Sequence, residues 1–332
     1  MIWILGFFVP LLFFLILYLL GPKPEKPQFD LSLPELSPHL FEIEESIQQK
    51  EALIPNIRED NEARIVWSHV QAEKTEYAIV YLHGFSASQG DAKPVHMQFA
   101  EHFAANLYLP RLQAHGLNSK ESLLEFDPEA YMRSAVEAYA VGRKLGKKLI
   151  LMGTSTGASL ALYLAAHFPD IHGLILISPN IELFDKKTLL LNRPWGLQIA
   201  RAILKSKYRK SEVKKEEQSP YWDHDYRLEA AVQVKNLVDH SMYTEIFDKV
   251  KQPAFVAYYY KNEQEQDQTV SVSAIKRMFE QLGTAQEKKR LENFPEAGDH
   301  CIGSDIWSGA WEELRDRCIL FAKEVLDMQP EI

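Results

Sequence analysis

Cysteine is nearly absent: the 332 residues hold only Cys301 and Cys318, at no spacing that suits zinc. So few thiols cannot make a disulfide framework, and any core must come from buried apolar side chains. Cys301 directly follows His300, yet a small buried hydrophobe is the expected role of its thiol. Net positive charge is missing too. The formal charge is −9, which repels a polyanion, so no nucleic-acid partner is expected. The one basic run, Lys205 to Lys215, is broken by Glu212 and followed by Glu216 and Glu217, and reads as a solvated helix face. Internal repeats and low-complexity tracts are lacking, as are a Gly-x-Gly-x-x-Gly turn and a phosphate loop, which leaves redox and nucleotide-binding readings without support. No metal or organic cofactor is implied.

What is present is ordinary globular composition, 46% hydrophobic and 25% charged, which argues against a disordered or fibrous chain. Ile2 to Leu20 carries no charge and would span about 28 Å as a helix, close to a bilayer core. A transmembrane anchor over residues 1–21 is therefore expected. A cleaved signal peptide fits less well, because no Lys or Arg precedes the run and no small-x-small site follows it. This predicts a single-pass membrane protein with the membrane as a partner. Lys23 and Lys26 lean towards a cytoplasmic catalytic domain, but beside Glu25 they leave the side of the membrane undetermined. Pro22, Pro24, Pro27, Pro34 and Pro38 make the start of residues 22–60, the linker and lead-in, an extended semi-rigid spacer that holds the domain off the membrane.

Beyond the linker, short apolar runs alternate with amphipathic helical patterns, the order of a mostly parallel sheet covered on both faces. Strands are expected at Arg64–Val70, Tyr77–Leu82, Asn106–Leu109, Lys148–Met152, Gly173–Ile177, Ala254–Tyr260 and Lys289–Asn293. Helices are expected at Val95–Ala105, Pro128–Leu145, Thr156–Phe168, Val272–Leu282 and Ser304–Leu326. The alternation breaks between Asn180 and Gln252, where helical patterns occur without a convincing strand. A stretch that long must be a structured insertion. The expected organisation is thus an α/β core of residues 61–179 and 253–332, interrupted by a helical cap of residues 180–252.

Gly153-Thr154-Ser155-Thr156-Gly157 matches the Gly-x-Ser-x-Gly nucleophile elbow, a tight strand-to-helix turn that lifts a serine hydroxyl into a site. Its setting fits, because Lys-Leu-Ile-Leu-Met precedes it and Ala-Ser-Leu-Ala-Leu-Tyr-Leu-Ala-Ala follows. Serine is a poor nucleophile at neutral pH and needs a base, itself oriented by a third group. In the chain order Ser, acid, His, the base falls on His300, in a polar loop after the last expected strand and the best placed of eleven histidines. The acid falls in the loop after Ala254–Tyr260. There Asp267, nearest the next helix in an Asp-x-x-Val arrangement, is preferred over Glu263 and Glu265, which read as solvated. Asp299 reads as turn-forming. The oxyanion needs donors, for which the backbone N–H groups of Thr156 and of Phe85 in Leu-His-Gly-Phe-Ser are the candidates. His83 is expected to order that loop rather than to move protons.

These residues resemble the α/β-hydrolase superfamily, and within it the carboxylesterase and monoacylglycerol-lipase-like branch. The resemblance rests on His83-Gly84-Phe85, Leu109-Pro110-Arg111-Leu112 leading to His115-Gly116, the elbow, Asp267 and His300, and covers residues 64 to 325. It implies an eight-stranded core and a cap, inserted after the sixth strand, that shapes an acyl pocket. Trp195, Tyr221 and Trp222 would then be pocket walls or packing between cap helices. Thr154 and Thr156 depart from the His before and the Met or Gly after the serine that many relatives carry. The expected activity is hydrolysis of carboxylic esters, small or lipid-derived, by a Ser155–His300–Asp267 triad through an acyl-enzyme. Amide, thioester or carbon–carbon bond hydrolysis on the same residues, or a non-catalytic binding protein, are the alternatives.

Overall fold

The computed structural model describes residues 12–13, 15–211, 215–218 and 220–330. Its centre is a seven-stranded sheet built from β1 (Arg64–Val66), β2 (Thr75–Leu82), β3 (Asn106–Leu109), β4 (Gly146–Thr154), β5 (Ile171–Ile177), β8 (Ala254–Tyr258) and β9 (Lys289–Asn293). The spatial order is β1-β3-β2-β4-β5-β8-β9; β1 pairs antiparallel with β3 and every other pairing is parallel. The strands between the edges are buried on both faces, which is why they read as unbroken apolar runs. Along β2, Ala78, Val80 and Leu82 enter one apolar layer while Tyr77, Ile79 and Tyr81 enter the other.

The eight-stranded core implied by the resemblance is corrected to seven among the described residues. Ahead of β1, the strand-like pairing among the described residues is an isolated bridge, Ile57 to Leu117. Asn56 and Asp60 there take positive φ, which interrupts an extended run.

The first layer is covered by α1 (Leu40–Ala52), α3 (Pro128–Leu145), α4 (Thr156–His167), α6 (Leu228–Ser241), α7 (Thr244–Lys249) and α8 (Val272–Gln281), the second by α2 (Val95–His102) and α9 (Trp311–Val325). Local chemistry sets several ends. Asp127 caps α3 by accepting the Glu129 and Ala130 N–H groups at 3.0 and 2.8 Å, and Pro128 occupies the first helical position. α1 lies in the segment expected to be linker and lead-in. It buries Ile43 and Ile47, one turn apart, and its Glu51 makes a two-pronged ion pair with Arg111 at 2.9 and 3.0 Å.

The transmembrane anchor over residues 1–21 is not supported: no helix among the described residues is long and apolar enough to cross a membrane. Residues 1–11 and 14 of that expectation lie outside the described residues. Where the chain is described, Leu17 O accepts the Trp195 indole N–H at 3.2 Å and Pro22 O accepts the Trp195 backbone N–H at 2.9 Å, which ties this stretch to the turn ahead of Gly196. The membrane as partner and the single-pass location rested on that anchor and fall with it. The proline-rich segment, residues 22–36, forms neither helix nor strand, and it is not a free spacer. Gln28 N–H donates to Glu129 at 2.7 Å, Asn236 donates to Glu25 O at 2.7 Å, and the Phe29 ring meets Tyr163 edge-on at 5.2 Å.

Residues 180–252 contain α5 (Gly196–Leu204), a hairpin of β6 (Tyr208–Lys210) and β7 (Asp225–Arg227), then α6 and α7. Within the helix face expected over Lys205–Lys215, Lys205 takes a left-handed conformation that ends α5 and Tyr208–Lys210 pair as a strand, while residues 212–214 lie outside the described residues. Helices α6 and α7 bury Ala230, Val234, Leu237, Val238, Ile246 and Phe247 in the same layer as α3 and α4.

Candidate active site

Strand β4 enters a sharp turn at Ser155, whose φ of 54° and ψ of −120° lie outside the ordinary regions for an L-residue. Neighbouring backbone holds the turn: Ser155 N–H donates to Ile177 O at 2.8 Å, and Asn180 N–H donates to Ser155 O at 3.1 Å. A Cβ on Gly157 would stand 2.0 Å from Leu82 O and 2.5 Å from His83 O, and one on Gly153 would meet Gly157 at 2.7 Å. Both glycines are therefore dictated by backbone approach. Gly157→Ala is expected to cost at least about 3 kcal/mol, the upper end of over-packing penalties, because the clash is with main chain that cannot swing aside. Urea unfolding checks this, and a loss under about 1 kcal/mol would contradict it.

Asp267 and His300 come from the loops after β8 and β9 and meet directly, Nδ1 to Oδ2 at 2.5 Å. Asp267 is 1% exposed. Its other oxygen accepts the Thr269 and Val270 N–H groups at 2.8 and 3.0 Å, so the Asp-x-x-Val turn aims the carboxylate at the imidazole. Burial lowers the affinity of His300 for a proton, but the charge and hydrogen bond of Asp267 outweigh it and raise the pKa above 6.5. With Nδ1 engaged, Nε2 is buried without a hydrogen-bond partner, and Ser155 Oγ is not bonded to it. Ser178, next to the carbonyl that holds Ser155, donates to His300 O at 2.8 Å and so ties the histidine loop to the elbow's corner. The rival carboxylates lie elsewhere in that chemistry. Glu263 bonds Tyr260, Glu265 bonds Asn262, and Asp299 accepts the Cys301 N–H at 3.1 Å. Cys301 is buried and its thiol pKa is pushed up by that burial, which leaves no thiolate to react.

The loop after β2 is ordered by buried side chains. His83 Nδ1–H donates to Gly84 O at 3.0 Å and its Nε2 accepts the Leu112 N–H at 3.1 Å. His115 does the same from Nδ1–H to Gln113 O at 2.7 Å, with Nε2 accepting the Ser86 N–H at 3.0 Å. Burial first, then neighbouring positive charge, lowers their pKa values to about 3 and about 4, so both rings stay neutral. Gly84 N–H is taken by Asp91 at 2.7 Å. The N–H groups on both sides of Phe85 are thus committed inward. Thr156 N–H stands at the opening of α4, where the helix dipole favours negative charge.

Residues 221–226 contact this loop and its surroundings. Asp223 N–H donates to Ser86 O at 2.7 Å, while its carboxylate bonds Arg58 at 3.1 and 3.2 Å and Ser122 at 2.6 Å. Phe85 packs edge-on against Tyr226 at 5.3 Å, and Trp222 against Trp307 at 5.9 Å. Tyr221 bonds Asp60 at 2.6 Å. Trp195 is elsewhere, against Leu17, Gly21 and Pro22. Asp91, Tyr81 and Asn180 escaped the sequence reading, because only tertiary burial distinguishes them. Among the described residues no three His, Cys, Asp or Glu side chains are grouped to hold a metal ion.

Residues 79–305 match the model of the Alpha/beta hydrolase family. The chain belongs to that family. Within it, 112 residues are 28% identical to a thermostable monoacylglycerol lipase of Bacillus sp. (strain H-257), a match spanning 34% of this chain and 44% of that lipase, less than half its length. One structure of the metagenome-derived lipolytic enzymes LipS and LipT superposes with a TM-score of 0.65 at 16% identity, over 81% of this chain and all of that one. The monoacylglycerol lipase of Paleococcus ferrophilus gives a TM-score of 0.55 at 13% identity, over 80% of this chain and 98% of that one. At these identities the structural likeness concerns the fold.

Proposed function

We propose that this hydrolase cleaves carboxylic esters through Ser155, His300 and Asp267 and a covalent acyl-enzyme. The observation that carries the reading is the buried Asp267–His300 hydrogen bond, which leaves the other imidazole nitrogen unpaired on a loop tied through Ser178 to the corner of the strained serine turn. Ser155 Oγ attacks the ester carbonyl as its proton passes to His300 Nε2, and Asp267 stabilises the imidazolium. Phe85 and Thr156 N–H groups receive the oxyanion. The leaving alcohol takes the proton from His300, and water repeats the sequence to release the acid. Residues 180–252 serve as the cap on a core of residues 61–179 and 253–332. Aromatic rings around the loop, Phe85, Trp222, Tyr226 and Trp307, together with the lipase name of the Bacillus relative, favour acyl esters of lipid origin.

The test is hydrolysis of p-nitrophenyl esters from acetate to long acyl chains, with labelling by a fluorophosphonate. A folded protein that neither turns over nor labels would point to a binding role instead. The pH profile carries its own expectation. His300 acts as a base only when neutral, and its pKa is raised, so kcat/KM should fall as pH drops through a value above 6.5. An acid limb centred below pH 6 would contradict this assignment of the base.

A further inference from the structure

Beneath the loop that carries Phe85 lies a carboxyl group with no part in the proposed proton transfers. Asp91 is 1% exposed. Its Oδ2 accepts the Gly84 N–H at 2.7 Å and its Oδ1 is hydrogen-bonded to the Tyr81 hydroxyl. A further hydrogen bond of 2.8 Å joins that hydroxyl to Thr154 Oγ1, on the residue just before the nucleophile. A Cβ placed on Gly84 would stand 3.0 Å from Asp91 Oδ2 and 3.2 Å from Ser155 Cβ, so carboxyl and nucleophile flank the same turn of backbone.

The chain Gly84–Asp91–Tyr81–Thr154 therefore spans the two pieces that must cooperate on one oxyanion. Phe85 N–H sits on the loop, one residue after Gly84. Thr156 N–H sits behind the elbow, two residues after Thr154. We propose that Asp91 is a positioning residue for ester hydrolysis, which sets the gap between these two donors. This rests on the hydrolase reading above and deepens it. A misplacement of about 1 Å at a reacting centre costs on the order of 100-fold in rate, so a tie of this kind acts on turnover more than on ground-state binding.

The titratable groups facing Asp91 are Tyr81 of β2, Tyr131 of α3, and His300 and Cys301 after β9. Burial, opposed by the Tyr81 and Gly84 hydrogen bonds and by His300, pushes its carboxyl up to about 7. Geometry and charge are separable by substitution. An asparagine can accept from Gly84 with its oxygen and donate to the Tyr81 oxygen with its amide, while Tyr81 donates to Thr154. It keeps every tie and removes only the charge.

Steady-state kinetics on p-nitrophenyl butyrate with Asp91→Ala, Asp91→Asn and Tyr81→Phe test the proposal. Asp91→Ala should lower kcat by about 30-fold or more with KM within about twofold, and Tyr81→Phe by about fivefold. Asp91→Asn should recover most of the lost kcat, because it keeps the geometry of both ties. A folded Asp91→Ala with kcat within about threefold of wild type overturns the proposal, as does an Asn variant that falls as far as Ala. Where Asp91→Ala does not fold, unchanged kcat in Tyr81→Phe overturns it. Wild-type protein that neither turns over nor labels would instead remove the hydrolase reading itself.

Discussion

Ser155→Ala is expected to lower ester hydrolysis by at least about 10⁴-fold and to abolish fluorophosphonate labelling, with the fold intact. Alanine keeps the Cβ, so the backbone at φ 54° neither gains nor loses strain, and the hydrogen bonds holding the turn are made by main chain. Unfolding free energies of wild type and variant should therefore agree within about 0.5 kcal/mol. What disappears is the oxygen. Residual hydrolysis by the proposed Phe85 and Thr156 donors alone should remain above the uncatalysed rate, since such donors still stabilise an oxyanion when a triad member is removed. A folded Ser155→Ala protein with more than about a tenth of wild-type turnover would place the nucleophile elsewhere.

Asp267→Asn should reduce kcat by about 10³- to 10⁴-fold, nearly as much, without removing any reacting atom. The Asp267 oxygen that accepts from Thr269 and Val270 would be kept as the amide oxygen, which leaves the NH₂ facing His300 Nδ1. Two donors then oppose each other. The imidazole escapes by moving its proton to Nε2, the nitrogen that has to receive one from Ser155. Raising the pH should not rescue the variant, because the fault is in the tautomer and not in the charge. Loss of less than about tenfold, measured beside an intact thermal transition, would remove Asp267 from the orienting role.

The sequence made some parts of this molecule plain because their signals are local. β3, β9 and α3 begin and end where the residues alone place them, α3 because Asp127 and Pro128 announce its start and an apolar period carries it to Leu145. The elbow was legible for the same reason, as two glycines and a serine between a strand pattern and a helix pattern. α1 was not, because its buried stripe is only Ile43 and Ile47 amid charged residues, and its ion pair is with Arg111, far along the chain. The hairpin of β6 and β7 was hidden by a run of like charges that a strand pair tolerates at the surface. Asp91 sits in a polar stretch, Ser-Gln-Gly-Asp, whose composition suggests a solvated turn. Its burial against Tyr81 and Gly84 is purely tertiary. The apolar run at the start of the chain misled in the opposite direction, since composition alone suggested a span that no described helix provides.

The strip of residues 22–38, which forms neither helix nor strand, bears on the order of events during synthesis. Its anchoring partners are Glu129 on α3, Tyr163 on α4 and Asn236 on α6, the last separated from Glu25 by 211 positions. None of those surfaces exists while the strip is leaving the ribosome, and a segment without helix or strand has little structure of its own to wait in. The strip is made before the helices it rests on and is one of the last parts able to settle. It closes over three helices like a seal applied after the box is packed, and the same dependence makes it an early part to lift away when the native state opens locally.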